Sequence, residues 1–308
     1  MARIDERHKA HALMVLLVVI WGMEYICVKV AMGVFPSLTL LHIKYLLGLV
    51  EMFFIKMRLD PYHWFRKRDI IFFILCSLTG ELFYYYCEYS ALDHMPVSLV
   101  TILLAFVPVV SVLIERVIWK RKANARLLAA MIISIVGVVL IIGVDISQIM
   151  HGRLIGYLFC LGAIISWNCY NFLTAKLAGK YTAVTMAFCQ LLCTTLLTAP
   201  YAYTHMPPLQ SAMHPKIILA VLFMGIVDAG LGFIIYVYSI SRLGPTTNAV
   251  YSNFLPVSST ILSFLLLGER ISPWQILGGL VVIGAGYFVI REKARLDEEA
   301  ERRAAADN

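Results

Sequence analysis

Charged residues are scarce in this chain. They make up 15% of its 308 positions, where a soluble domain carries about a quarter. Hydrophobic residues reach 60% and mean hydropathy is +0.80. This balance excludes disordered, collagenous, coiled-coil and ordinary soluble classes, and points to a bilayer as solvent. Catalytic patterns are missing too. The sequence holds no HExxH, no GxSxG, no GxGD acid pair and no Walker motif, which argues against an intramembrane hydrolase and against an ATP-driven pump. Only His42 of the eight histidines falls in an apolar segment. No CxxC and no zinc-spaced Cys/His cluster occurs, so no metal and no cofactor are expected. The seven cysteines, Cys27, Cys76, Cys87, Cys160, Cys169, Cys189 and Cys193, all lie in apolar stretches and read as small core hydrophobes. No connecting segment is long enough for a soluble receptor or scaffold domain.

What is present is a series of long apolar runs. Ten stand out: 12–35, 38–57, 70–92, 97–119, 127–144, 154–177, 183–204, 216–241, 246–267 and 274–290. A helix needs about 20 residues to cross the hydrocarbon core, so each can span once. The short alternating segments of a β-barrel are missing. The first run follows a basic start, but it contains Glu24 and Lys29 and precedes no small-residue cleavage site. It reads as helix one, not as a signal peptide.

With the N-terminus inside, the inner segments hold 21 of the 26 lysines and arginines. The outer ones hold Arg153, Lys216 and Arg270, and Lys29 and Lys44 lie within spans. This bias predicts a multi-pass protein of the cell (inner) membrane with both termini in the cytosol. The net charge of +7 then faces anionic lipid and is no nucleic-acid footprint. The stretch after Arg291 reads as a short solvated tail, helical at most.

The chain also resembles itself at a spacing of about 146 to 149 residues. ISWNCYNFLTAKLAG at 165–179 echoes VIWGMEYICVKVAMG at 19–33. YSISRLGPTTNAVYSNFLP at 238–256 echoes YSALDHMPVSLVTILLAFVP at 89–108, and LVVIGAGYFVI at 280–290 echoes IISIVGVVLII at 132–142. Five spans per copy is an odd number, so the second copy would enter from the opposite side. The expected fold is all-α: ten transmembrane helices as two inverted five-helix repeats. Residues 1–145 form one repeat, 152–291 the other and 292–308 the tail.

The stretch 244–287 carries Pro256, the Leu-Gly-Glu-Arg run at 267–270, Pro273, Gly278, Gly279, Gly284 and Gly286. On these residues, and over residues 12 to 290, the chain resembles the EamA-type branch of the drug/metabolite transporter superfamily. In the first half the family's Gly-Glu-Arg element is replaced by Lys120, Arg121 and Lys122, and a common arginine of helix two is represented at best by Lys44. The resemblance implies a secondary carrier of small metabolites, most simply an exporter of amino acids or related polar compounds. A non-transporting receptor or an intramembrane enzyme is the alternative.

Ionisable residues at mid-span are costly and mark function. Glu24, Glu81 and Asp228 each lie 11 or 12 residues into their runs, about 16 to 18 Å deep. Asn168 lies at similar depth. Together they predict a central cavity in which an acid binds a proton or a cation; the alternative is acids that are protonated or hydrogen-bonded for structure alone. Glu81, Tyr84 or Tyr85, and Glu88 are spaced for one helix face, as are Trp21, Tyr25 and Lys29. An acid–phenol stripe suits a wet wall that binds amines or rings, or an interfacial aromatic belt. Tyr251 and Asn253 would face the same cavity. Lys44 and Glu51 are seven apart and read as a structural pair or as snorkelling ends. Pro108 and Pro256, at matching places in the two copies, predict gating hinges or plain kinks. The glycines of spans five and ten read as packing notches. The predicted partners are a small molecule, lipid and, as coupling ion, the proton; oligomeric state is left open.

Overall fold

The computed structural model describes residues 2–92, 94, 97–118, 124–143, 154–268 and 270–306. Lys120, Arg121, Lys122 and Glu269 lie outside them. So do the side chains of Tyr25 and Lys29. Among the described residues there is no strand, and ten helices are long and apolar enough to cross a membrane. These are α1 (Glu6–Val28), α2 (Ser37–Leu59), α3 (Lys67–Glu88), α4 (Val100–Ile118), α5 (Ala125–Ile142), α6 (Leu154–Leu177), α7 (Ala183–Thr204), α8 (Pro215–Leu243), α9 (Pro245–Leu266) and α10 (Pro273–Ala300). The expected ten spans are all present. A bilayer offers no water to the backbone, so helices that satisfy their own N–H and C=O groups are the economical solution.

Packing divides the chain into two compact units. One comprises residues 1–83 and 169–244, the other 84–168 and 245–308. The division cuts α3 and α6, so each unit draws on both halves of the sequence.

In the first unit small residues bring α2 onto α8. A Cβ on Gly48 would meet the Gly225 carbonyl and the Ala229 Cβ at 3.0 Å, and one on Gly225 would sit 2.4 Å from the Leu47 Cβ. Close backbone approach of this kind holds helices together where the hydrophobic effect does not. Next to it the connection after α2 is fastened to the start of α7. Thr185 donates to Asp60 at 2.6 Å, and Thr182 and His63 also bond that carboxylate. Thr182 caps α7 through the Thr185 N–H. Buried Lys56 donates to the backbone oxygens of Asp60 and His63 at 2.8 and 2.7 Å and lies over the Trp64 ring. Burial pushes the Asp60 carboxyl up, but the bonds from Thr182, Thr185 and His63 outweigh it and hold it down at about 2.

In the second unit Gly137 and Gly278 act as facing notches. A Cβ on either would fall within 3 Å of the other's carbonyl oxygen. The helix containing α10 continues without a break to Ala306. The expected tail after Arg291 is thus helical, and it differs from the expectation in that its first residues are not solvated. Glu292 and Lys293 are buried, Glu292 accepting from Asn124 at 2.5 Å and Lys293 pairing with Glu115 and Asp297. No glycine or proline occurs in residues 291–306, and Asn124 and Glu115 come from 168 and 178 positions earlier. All seven cysteines are free thiols. Cys169 is exposed, so its place in the core is also corrected.

Candidate functional site

Lys44 is the centre of the first unit's polar cluster. One turn from the Gly48 contact, its ammonium donates to Glu24 of α1 at 2.5 Å and lies 2.6 Å from Asp228 of α8. The three side chains are 5%, 14% and 3% exposed. Glu81 of α3 is buried too, and lies within electrostatic range of Lys44, Glu24 and Asp228. The three mid-span acids are therefore brought together. The expected pairing of Lys44 with Glu51 is wrong. Glu51 Oε2 is buried without a hydrogen-bond partner among the described residues and points at Gly230, whose missing Cβ leaves it room. Spacing along α2 gave no view of the helix opposite.

Glu81 and Asp228 share a second feature. Each lies in a π-helical stretch, Leu78–Phe83 and Phe223–Gly232. Such wide turns cluster at functional sites. They also depart from the 3.6-residue count on which the spacing of Glu81, Tyr84 or Tyr85, and Glu88 was read.

Aromatic rings adjoin the acids. Trp21, one turn before Glu24, lies 5.5 Å from Tyr236, which stacks on Tyr170 at 6.0 Å with planes 5° apart. Tyr170 lies against Gly80, next to Glu81, where a Cβ would be 2.6 Å from its ring. Tyr236 donates to Asn171 Oδ1. Asn171 Nδ2 is buried and has no acceptor among the described residues. Tyr170 donates to Gln190 at 3.3 Å, and Gln190 donates to Thr174 at 3.1 Å.

The sequence reading missed Asn171, Tyr170, Gln190 and Tyr236, and the repeat spacing contained a signal for two of them. At an offset of 146, Glu24 corresponds to Tyr170 and Lys44 to Gln190; at 147, Glu81 corresponds to Asp228. The ionic trio Glu24–Lys44–Asp228 thus has a counterpart at equivalent positions, Tyr170–Gln190–Glu81, in which a phenol and an amide stand for the acid and the lysine.

The remaining candidates lie in the second unit. Tyr84 contacts the rings of Tyr85 and Trp167 at 5.2 and 5.0 Å, and its hydroxyl donates to Glu88 at 3.4 Å. Asn168 donates to the carbonyls of Val107 and Ile164 at 3.2 and 2.9 Å. Asn253 donates to Ser134 at 3.3 Å, and Tyr251 packs on Phe254. Pro108 follows a non-helical step at residues 105–106, and Pro256 follows the 3-10 turn Ser252–Phe254. Each proline opens a new helical segment where its missing N–H costs nothing.

Two successive stretches, 8–143 and 154–291, each match the EamA-like transporter family. The chain belongs to that family. It is a multi-pass membrane protein of transporter type, and the family implies a small-molecule substrate and a lipid bilayer as surroundings. An "Uncharacterized transporter" of Archaeoglobus fulgidus is 24% identical, the match covering 91% of this chain and 96% of the relative. A "Probable terminal-alkyne amino-acid exporter" of Streptantibioticus cattleyicolor is 24% identical over 74% of this chain and 75% of its own length. A "Probable amino-acid metabolite efflux pump" of Salmonella typhimurium is 22% identical over 92% and 97%. A crystal structure with 18% identity superposes with a TM-score of 0.73, covering 92% of this chain and 97% of that one, and shares the fold.

Proposed function

We propose that this protein is a secondary active exporter of small polar metabolites, amino acids or related compounds, that works by alternating access and is coupled to protons. The observation that carries the reading is the buried Glu24–Lys44–Asp228 cluster with Glu81 beside it. One lysine neutralises one carboxylate. The charge of the other acids is met by protons or by a cationic group of the substrate, and that choice is what couples the two. Two relatives bear amino-acid exporter or efflux names, which supports the substrate class.

The two halves, 1–145 and 152–291, are proposed to be inverted in the membrane, with 292–308 extending the last helix. The lysine and arginine bias supports cytosolic termini in the cell (inner) membrane. Trp21, Glu24, Glu81 and Asp228 are assigned to substrate or proton binding. Tyr84, Tyr85, Glu88, Asn168, Tyr251 and Asn253 are the polar positions that the second unit offers, and Pro108 and Pro256 are its hinges.

The test is flux. Purified protein in liposomes is screened with a panel of labelled metabolites, with and without an imposed pH gradient. The reading expects accumulation of at least one compound, lost in Glu24→Gln and Glu81→Gln variants that insert normally. Flux unchanged by both variants removes the role of the acids. Flux indifferent to the pH gradient removes the coupling.

A further inference from the structure

Lys44 differs from the acids around it in one respect: among the described residues it is the only basic side chain that pairs with any of them. Its ammonium already occupies the place that a substrate's ammonium would take between Glu24 and Asp228. A bare amine entering that place would expel Lys44 from its two carboxylates and leave a buried cation without a partner. Breaking a buried pair in that way is heavily penalised. An organic anion lacking an amine has the opposite defect, because it takes Lys44 and strands the carboxylates. A molecule with both charges avoids both penalties: its ammonium replaces Lys44 on an acid, and its carboxylate becomes the lysine's new partner. The lysine side chain suits this exchange, being a point charge on a flexible stem. The aromatic group that adjoins it through Trp21 holds an idle hydrogen-bond donor, the buried Nδ2 of Asn171, whose Oδ1 is already taken by Tyr236.

We infer that Lys44 is the specificity residue that makes a carboxylate compulsory in the substrate, by handing its salt bridges with Glu24 and Asp228 over to a zwitterion. This rests on the carrier reading above and deepens it. No covalent step is involved; ion pairs are exchanged and the charge of the cluster is unchanged by a zwitterion.

The test uses the full chain in proteoliposomes. An equimolar mixture of labelled L-amino acids is the probe for uptake. The acid taken up is then competed with its own unlabelled form, with its carboxamide and with its decarboxylated amine. Wild type is expected to reject the amide and the amine by at least roughly 100-fold, because either analogue leaves a buried polar group of the site unpaired. In Lys44→Met the ratio is expected to fall to within about threefold, with weaker uptake of the acid itself. Should Lys44→Met not fold, the double variant Lys44→Met with Asp228→Asn removes the unpaired charge and gives the same readout. Equal competition by the amine in wild type overturns the inference, and so does full discrimination in the variants. Absence of any amino-acid uptake also overturns it, while the carrier reading falls only if the wider metabolite screen is silent too.

Discussion

The Lys44 ammonium stands 2.6 Å from the Asp228 carboxylate, and the glycine contact one turn further along α2 is what puts it there. Gly48 and Gly225 let the two backbones touch, so the pair is a product of packing and not of a local sequence rule. Salt bridges buried this deeply are poor sources of net stability, yet costly to break on one side.

Lys44→Met alone should therefore destabilise the folded protein, by about 3 kcal/mol, because Glu24 and Asp228 lose their shared cation. Adding Asp228→Asn should recover much of that loss. Thermal unfolding of the purified variants in detergent checks both, and a double variant no more stable than the single one would contradict the argument.

The glycines of α5 and α10 make a sharper packing prediction. Gly278→Leu places a side chain where the Gly137 carbonyl and the Ile141 backbone stand within 3 Å of its Cβ. The expected result is loss of monodisperse protein or a drop of several kcal/mol, about 3 or more. Gly284 has open space at its Cβ, so Gly284→Ala should stay within about 0.5 kcal/mol of wild type. Size-exclusion profiles and melting temperatures of the two variants distinguish notch from bystander.

Asp60 gives a pH-dependent prediction. Its carboxyl is held at about 2, below its ordinary value of 3.8. A depressed value means that the ionised form is bound more tightly in the folded state. The stabilisation is complete above the unfolded value and disappears as pH falls from about 4 towards 2. Asp60→Asn should cost about 2 kcal/mol at pH 7, and the gap between variant and wild type should narrow across that acid range. Melting curves at pH 7, 4 and 3 test it; a gap independent of pH would refute the assignment.

Most of the fold was legible as run length. Ten apolar segments of spanning size leave few options in a solvent that satisfies no backbone group. Glu24, Glu81 and Asp228 were legible by depth alone, because a mid-span acid is unusual wherever it occurs. Lys44 was misread. Its spacing to Glu51 describes one face of α2, while the partner that decides its role sits 184 positions away on α8. The π-helical turns were invisible for a related reason: reading faces at 3.6 residues per turn assumes the regularity that Leu78–Phe83 breaks. Glu292 and Lys293 look like tail residues until Asn124 and Glu115 are packed against them.

Glu81 carries the last prediction. It is 4% exposed and within reach of Lys44's field, but Lys44 spends its salt bridges on Glu24 and Asp228. Its counterpart position in the repeat holds Asp228, so the two acids occupy equivalent π-turns with unequal partners: one has the lysine, while the other follows Gly80, which lies against the Tyr170 ring. An acid in that setting has a proton as its readiest counter-charge. Glu81→Gln, which keeps the shape and removes the titration, should abolish accumulation driven by an imposed pH gradient. Exchange of labelled for unlabelled substrate across the membrane needs no net proton movement and should survive, within about threefold of wild type. Measuring both in the same proteoliposomes separates coupling from binding. Loss of exchange together with driven uptake would make Glu81 a substrate-binding group instead, and normal driven uptake would leave the proton to Glu24 or Asp228.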